Sequence, residues 1–272
     1  MKKGVCVICS ESAQLTRDHV PPKGTVPPDP IVVKRLEEHI AASTTKPMPL
    51  RVEHRSRSFR TLCKRCNVEL LGQRYDPALS SLANAVARWL RVRIDYGFSL
   101  PRDITVDAHQ SRVARAIVGH LLAADEDPQR TLSDPASMFD KMRSFFLHPE
   151  LPVPDDLHVY VWPYAGSFQV LIRGFCISTL GPPRYPAPIA GDLIKFYPLG
   201  FIVATAPATM PNARLGRFTL NDNDKRTELS IPLSGAPRSQ WPEYPADNEA
   251  LLVSNDVAYV ASRSTAAMGT RQ

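Results

Sequence analysis

The spacing of apolar residues divides the chain into a helical stretch and a later strand-rich one. Behind Asp76-Pro77, Leu79, Leu82, Val86, Trp89, Leu90 and Ile94 recur three or four apart, the period of a helix that buries one face. Asp at the cap and Pro at the first helical position fit its start. Asp107 fits the cap of a second helix, with Val113, Ile117, His120, Leu121 and Leu122 on one side. Residues 133–146 predict a third, ending before His148-Pro149. From about residue 155, strand-like runs at 157–162, 167–180, 193–205, 217–220, 229–232 and 251–261 are separated by turn signals such as Ala165-Gly166 and Asn221-Asp222-Asn223-Asp224.

The first 75 residues follow neither pattern for long. Residues 5–20 predict two short strands joined by a turn, stopped by Val20-Pro21-Pro22 because Pro lacks a donor and restricts its predecessor. Residues 27–50 read as an insertion bracketed by Pro27-Pro28 and Pro47-Met48-Pro49, with a short helix over 31–42. Residues 51–62 form a basic extended stretch, and a helix begins at 67–71, broken near Gly72. The expected fold class is α+β in three parts: an N-terminal module over 1–75, a helical segment over 76–150 and a β-rich region over 151–272. Pro makes up 26 of 272 residues, roughly double the usual share, so the elements should be short and punctuated.

No run of 18 apolar residues predicts a membrane span. Met1-Lys2-Lys3-Gly4-Val5-Cys6 lacks the apolar stretch of a secretory signal, so the expected location is cytoplasmic. The net charge of +6 is unevenly spread: residues 1–74 hold 14 Lys and Arg against 7 Asp and Glu, and the rest hold 19 against 20. A compact basic module suits a polyanionic partner, although the charge alone fits a solvated basic surface equally well.

The same quarter holds Cys6-Val7-Ile8-Cys9 and Cys63-Lys64-Arg65-Cys66. A C-x2-C turn lets both thiolates reach one tetrahedral ion, and two such turns complete a four-cysteine zinc site. In a reducing compartment zinc is favoured over disulfides. Such a site has no open position and stabilises structure without performing chemistry. Cys176, inside an apolar run, reads as core.

Between the pairs lies Leu15-Thr16-Arg17-Asp18-His19-Val20-Pro21-Pro22, and Asn67 directly follows the last cysteine. The ordered set C-x2-C, D-H-x-P, L-C-x2-C-N resembles the HNH endonuclease superfamily, the ββα-metal nucleases, over roughly residues 5–75. The resemblance implies that residues 1–75 are a zinc-bound ββα-metal module cutting DNA, with RNA an open alternative. It implies His19 as the general base, with Asp18 and Asn67 as ligands of one catalytic Mg2+ or Mn2+. These types suit the chemistry. An imidazole titrating near neutrality can activate water, and oxygen donors suit a hard divalent ion that offsets charge on the phosphate. Two positions depart from the family: Ser58 stands where Asn usually orients the catalytic His, and Val68-Glu69-Leu70 stands where a Lys is common.

Arg17, Arg55, Arg57, Arg60, Lys64 and Arg65 flank this centre and are the expected nucleic-acid contacts, Arg55 and Arg57 at alternate positions sharing one strand face. Arg88, Arg91 and Arg93 either extend that surface or are the solvent face of their helix. His54 reads as exposed and His120 as a satisfied core residue. Residues 151–272 show no catalytic constellation, and ligand binding, homo-oligomer formation and DNA recognition all remain open for them. Two other readings compete with the nuclease. One is a zinc-dependent nucleic-acid-binding protein with an inactive HNH site; the other is a basic module docking on an acidic partner.

Overall fold

The computed structural model describes residues 3–41, 51–96, 99, 101–126, 137–182, 186–210, 213–220, 224–253 and 257–263. The fold is α+β. β1 (Lys3–Val5) leads through the first cysteine turn into β2 (Ser12–Val20), and β5 (Arg57–Cys63) completes a three-stranded antiparallel sheet in the order β1-β2-β5. Between β2 and β5 run β3 (Pro30–Arg35), the one-turn helix α1 (Leu36–Ile40) and β4 (Arg51–His54). The helix expected over residues 31–42 is therefore a strand followed by a single turn. Three successive β-branched residues, Ile31, Val32 and Val33, favour the pleated conformation, and Ile31 and Val33 bury one face.

β5 ends in a π-helical stretch, Arg65–Tyr75, that runs unbroken into α2 (Asp76–Tyr96). The break expected at Gly72 and the helix start expected at Asp76 are both absent. The buried positions Cys66, Leu71 and Tyr75 step by five and then four, which the wider π turn lines up on one face and an α-helix would not. β6 (Asp103–Ala108) follows, then α3 (Gln110–Ala123) and α4 (Met138–Leu147). Asp107 lies within β6 and not at a helix cap, because Ile104, Val106 and Ala108 alternate against β12. Of the third predicted helix, residues 133–136 lie outside the described residues.

α3 is buried at every position except Arg112 and packs on β2, β5, β9, α2, α4 and the π-helical stretch. At Gly119 an added Cβ would stand 2.5 Å from Phe146 and 2.7 Å from Leu71, so the small residue lets three helical segments meet around His120.

The remaining strands are β7 (His158–Pro163), β8 (Gln169–Thr179), β9 (Ile189–Phe196), β10 (Leu199–Ala204), β11 (Gly216–Arg217), β12 (Thr227–Pro232), β13 (Glu249–Val253) and β14 (Ala258–Arg263). The large sheet runs β11-β7-β10-β9-β8-β14-β3-β4, with β13 also on β8; β12 pairs with β6. Along β7 and β10, Val159, Val161, Phe201 and Val203 face the core shared with the helices, while Tyr160, Trp162 and Ile202 face a second core around Trp241. Both faces are covered, as continuous apolar runs require. Strand pairing crosses both expected boundaries: β3 and β4 from the first 75 residues join the sheet of the C-terminal region through β14, and β6 of the helical segment pairs with β12. No helix among the described residues is long and apolar enough to cross a membrane.

The start of α3 is fastened by Asp224. Its carboxylate accepts from Arg112 at 2.5 and 2.6 Å, Arg74 stands 3.9 Å away, and its carbonyl oxygen is 2.9 Å from His109 Nδ1. The Arg112 hydrogen bonds hold the carboxyl below its ordinary pKa. A depressed folded pKa contributes stability above the unfolded value, near 3.9, that disappears as pH falls through the folded one. Both side chains are about a third exposed, so screening reduces the effect. Asp224→Asn should therefore cost about 1 kcal/mol at pH 7, and denaturant melts at pH 3 should show that difference shrinking.

Candidate metal centre

The two cysteine turns, far apart in sequence, converge. The Sγ atoms of Cys6, Cys9, Cys63 and Cys66 all lie within 4.8 Å of one another, and Cys9 and Cys63 are 3.7 Å apart. A tetrahedral zinc with sulfur at about 2.3 Å separates its ligands by roughly 3.8 Å, so the cluster can hold one. Local structure sets it up. Ser10 takes a positive φ, its N–H bonds to Cys6 O, and Val7 N–H donates to Thr61 O across to β5. Arg143 of α4 anchors the first turn through Nε to Ile8 O at 2.7 Å and through Ser10 Oγ. Four thiols this close cannot all ionise unaided. Cys6 is pulled down to about 5, chiefly by its Cys66 hydrogen bond. Burial pushes Cys9 up to about 12, and the bond to Cys6 raises Cys66 as well. A central cation removes that conflict by deprotonating its ligands.

β2 carries Thr16, Asp18 and His19 past β5, with a register shift between Thr16 and Asp18. His19 is directly opposite Ser58, the position at which the resembled family carries its orienting Asn. Ser58 does not take that part: its hydroxyl and its N–H both donate to Glu53, at 3.1 and 2.8 Å. Ser56 instead brings Oγ to 3.4 Å from His19 Nδ1. Burial, reinforced by Lys23, lowers the His19 pKa, with Asp18 opposing, so the imidazole is neutral at physiological pH. Asn67, in the π-helical stretch, donates Nδ2 to Thr16 Oγ1 at 2.9 Å, and Thr16 in turn donates to Leu62 O. Asn67 Oδ1 forms no hydrogen bond among the described residues.

Asp18 has a partner that the sequence did not reveal. Only 5% exposed, it places Oδ2 3.0 Å from Nδ1 of the fully buried His120, whose Nε2 lies 3.0 Å from Asp76 Oδ1. Burial alone would lower the pKa of this imidazole, yet the Asp18 and Asp76 carboxylates raise it to about 10. It is a cation shared by two carboxylates, joining β2, α2 and α3. His120 was expected in the core; its two charged partners were not. A helix-facing His with an Asp at the preceding helix start was the only available signal.

The basic residues divide. Arg17, Arg60, Lys64 and Arg65 are exposed and form no ion pair among the described residues. Arg57 corrects the expectation: it is 6% exposed, bonded to Glu53 at 2.8 Å and stacked 4.9 Å over Tyr259. Arg55 does not share its strand face. With φ at +70° it turns the chain between β4 and β5, which resets the alternation. His54 is exposed, as expected.

None of Asp18, His19 and Asn67 lines the 690 Å³ cavity between α4, β8, β9 and β13, which Cys176 partly lines. No family model, characterised protein or solved structure matches the chain.

Proposed function

We propose that the chain is an HNH-type endonuclease that hydrolyses DNA phosphodiester bonds. The observation that carries this reading is the β2-β5-helix unit closed by the four cysteines. It places a neutral His19 opposite Ser58 and anchors Asn67 on Thr16, two residues from Asp18 along β2. The cysteines hold a structural zinc. Asp18 and Asn67 offer oxygen donors of the hard type a Mg2+ or Mn2+ prefers, and such an ion would offset charge on the phosphate.

The rest follows from the chain's own groups. With Nδ1–H turned to Ser56, the His19 Nε2 lone pair takes a proton from water as the water oxygen attacks phosphorus; the P–O3′ bond breaks and the 3′ oxygen leaves, taking up a proton from solvent. Burial keeps that nitrogen unprotonated at neutral pH. His120 holds one Asp18 oxygen and leaves the other for the ion. Asn67 is fixed through its amide nitrogen, which leaves its oxygen uncommitted. Arg17, Arg60, Lys64 and Arg65 supply phosphate contacts beside the cut.

Plasmid nicking with Mg2+ or Mn2+ tests this. His19→Ala should lower the rate at least a hundredfold while leaving DNA affinity unchanged; a wild-type chain that never nicks in either metal would sink the reading. A second reading is a zinc-dependent nucleic-acid-binding protein with an inactive centre. It draws on the engagement of Ser58 with Glu53 and of Asp18 with His120, and predicts binding without nicking.

A further inference from the structure

The exposed side of α2 presents Ser80, Asn84, Arg88 and Arg91, at helical spacings of four, four and three. They lie along one face, spanning roughly 16 Å at 1.5 Å per residue. The start of this face lies against the loop that follows His19. A Cβ added at Gly24, in the loop that follows His19, would meet Ser80 Oγ at 3.2 Å. Lys23, directly before it, is exposed. From the His19 loop the surface continues along α2 to Arg88 and Arg91.

Two features separate this face from an ordinary solvated one. Soluble helices usually intersperse acids and bases at i, i+4, whereas the acids of α2 are only Asp76, bound to His120, and Asp95 at the far end. Arg88 and Arg91 have no ion-pair partner among the described residues. The acid that lines the adjoining groove, Asp107, is met by Arg226 at 3.9 Å. The polar residues next to the centre are also small, so a backbone can approach closely there, and the long cations come further out.

We propose that this face of α2 is a second phosphate track, which carries duplex DNA leading away from the His19 centre over about five base pairs, at 3.4 Å of axis per phosphate of one strand. The assignment rests on the nuclease reading for its direction. Duplex is favoured over single-stranded nucleic acid because the track contains no aromatic residue, and single-strand binders stack bases on aromatic platforms. Trp89, 42% exposed, lies to one side, in the groove toward β6.

The test is anisotropy of a 30-base-pair duplex between 50 and 200 mM KCl, without added divalent ion, using the full chain. Arg88→Ala/Arg91→Ala should weaken binding roughly tenfold and reduce the slope of log affinity against log salt by about 1.8, or 0.9 per lost phosphate contact. Arg214→Ala, which removes a partly exposed cation paired with Asp103, should leave the slope unchanged. Thermal melts of each variant guard against misfolding. A slope unaltered in the double variant overturns the proposal whatever the nicking assay gives, and so does tighter binding of single strands than of duplex. A slope that falls in a chain that never nicks upholds the track and removes the cleavage reading instead.

Discussion

A Cys63→Ser chain is expected to retain no zinc and to lose the ordered structure of β1, β2, β5 and the π-helical stretch. Purified wild type should carry one zinc per chain by elemental mass spectrometry. The magnitude is large because structural zinc contributes about 10–16 kcal/mol in small zinc-folded peptides, against a total stability of about 5–15 kcal/mol for a typical domain. Loss of a ligand also leaves Cys6 and Cys66 facing each other in the core without a cation, both fully buried. Amide hydrogen exchange localises the effect: protection should vanish across residues 3–20 and 57–75 and persist in β7–β10. If a strong chelator changed neither the melt nor that protection, the cluster would be four thiols and nothing more.

The second large effect belongs to His120. His120→Leu should destabilise the chain by about 3–5 kcal/mol, the cost of leaving buried charges without their partner. Asp18 is 5% exposed, and Asp76 has a side-chain exposure of 21%. Their carboxylates would be left facing an apolar side chain. Adding Asp18→Asn and Asp76→Asn to His120→Leu removes the repulsion and should recover part of the loss in urea denaturation. If the single variant were as stable as wild type, the carboxylate–imidazole–carboxylate bridge would carry no energy. If the triple variant recovered nothing, lost packing and not charge would explain the cost.

The site was legible where its chemistry is written locally. The C-x2-C turns announce a shared ion because two thiolates three residues apart must turn toward one point, and the structure brings all four together. The helix behind Asp76 was readable from its period, as were β7, β8 and β12, whereas the runs at 193–205 and 251–261 each span two strands. His120 could not be paired from sequence: it meets Asp18 across 102 positions and Asp76 across 44, and no local pattern encodes such a meeting. Lys195, also unforeseen, is fully buried with Nζ 2.6 Å from Glu243 and 2.7 Å from two carbonyl oxygens. Arg57 was misplaced because alternation was counted through Arg55, where the chain turns. β3 is a different case. Its β-branched run was visible in the sequence, but the segment between two proline brackets was read as a short helix.

The insertion of β3 and β4 between the two cysteine turns links assembly of the N-terminal hairpin to a strand made more than two hundred residues later. β14 supplies the neighbour of β3 through the pairs Ile31–Arg263 and Val33–Ala261. Closing so long a span is entropically costly and slow compared with forming adjacent hairpins. The nascent chain therefore exposes the first cysteine turn, the basic surface and the strand carrying His19 before the β3-β4 pair can meet β14. The β3-β4 pair joins the large sheet only when the last described strand is made, a delay written into the chain's order of synthesis.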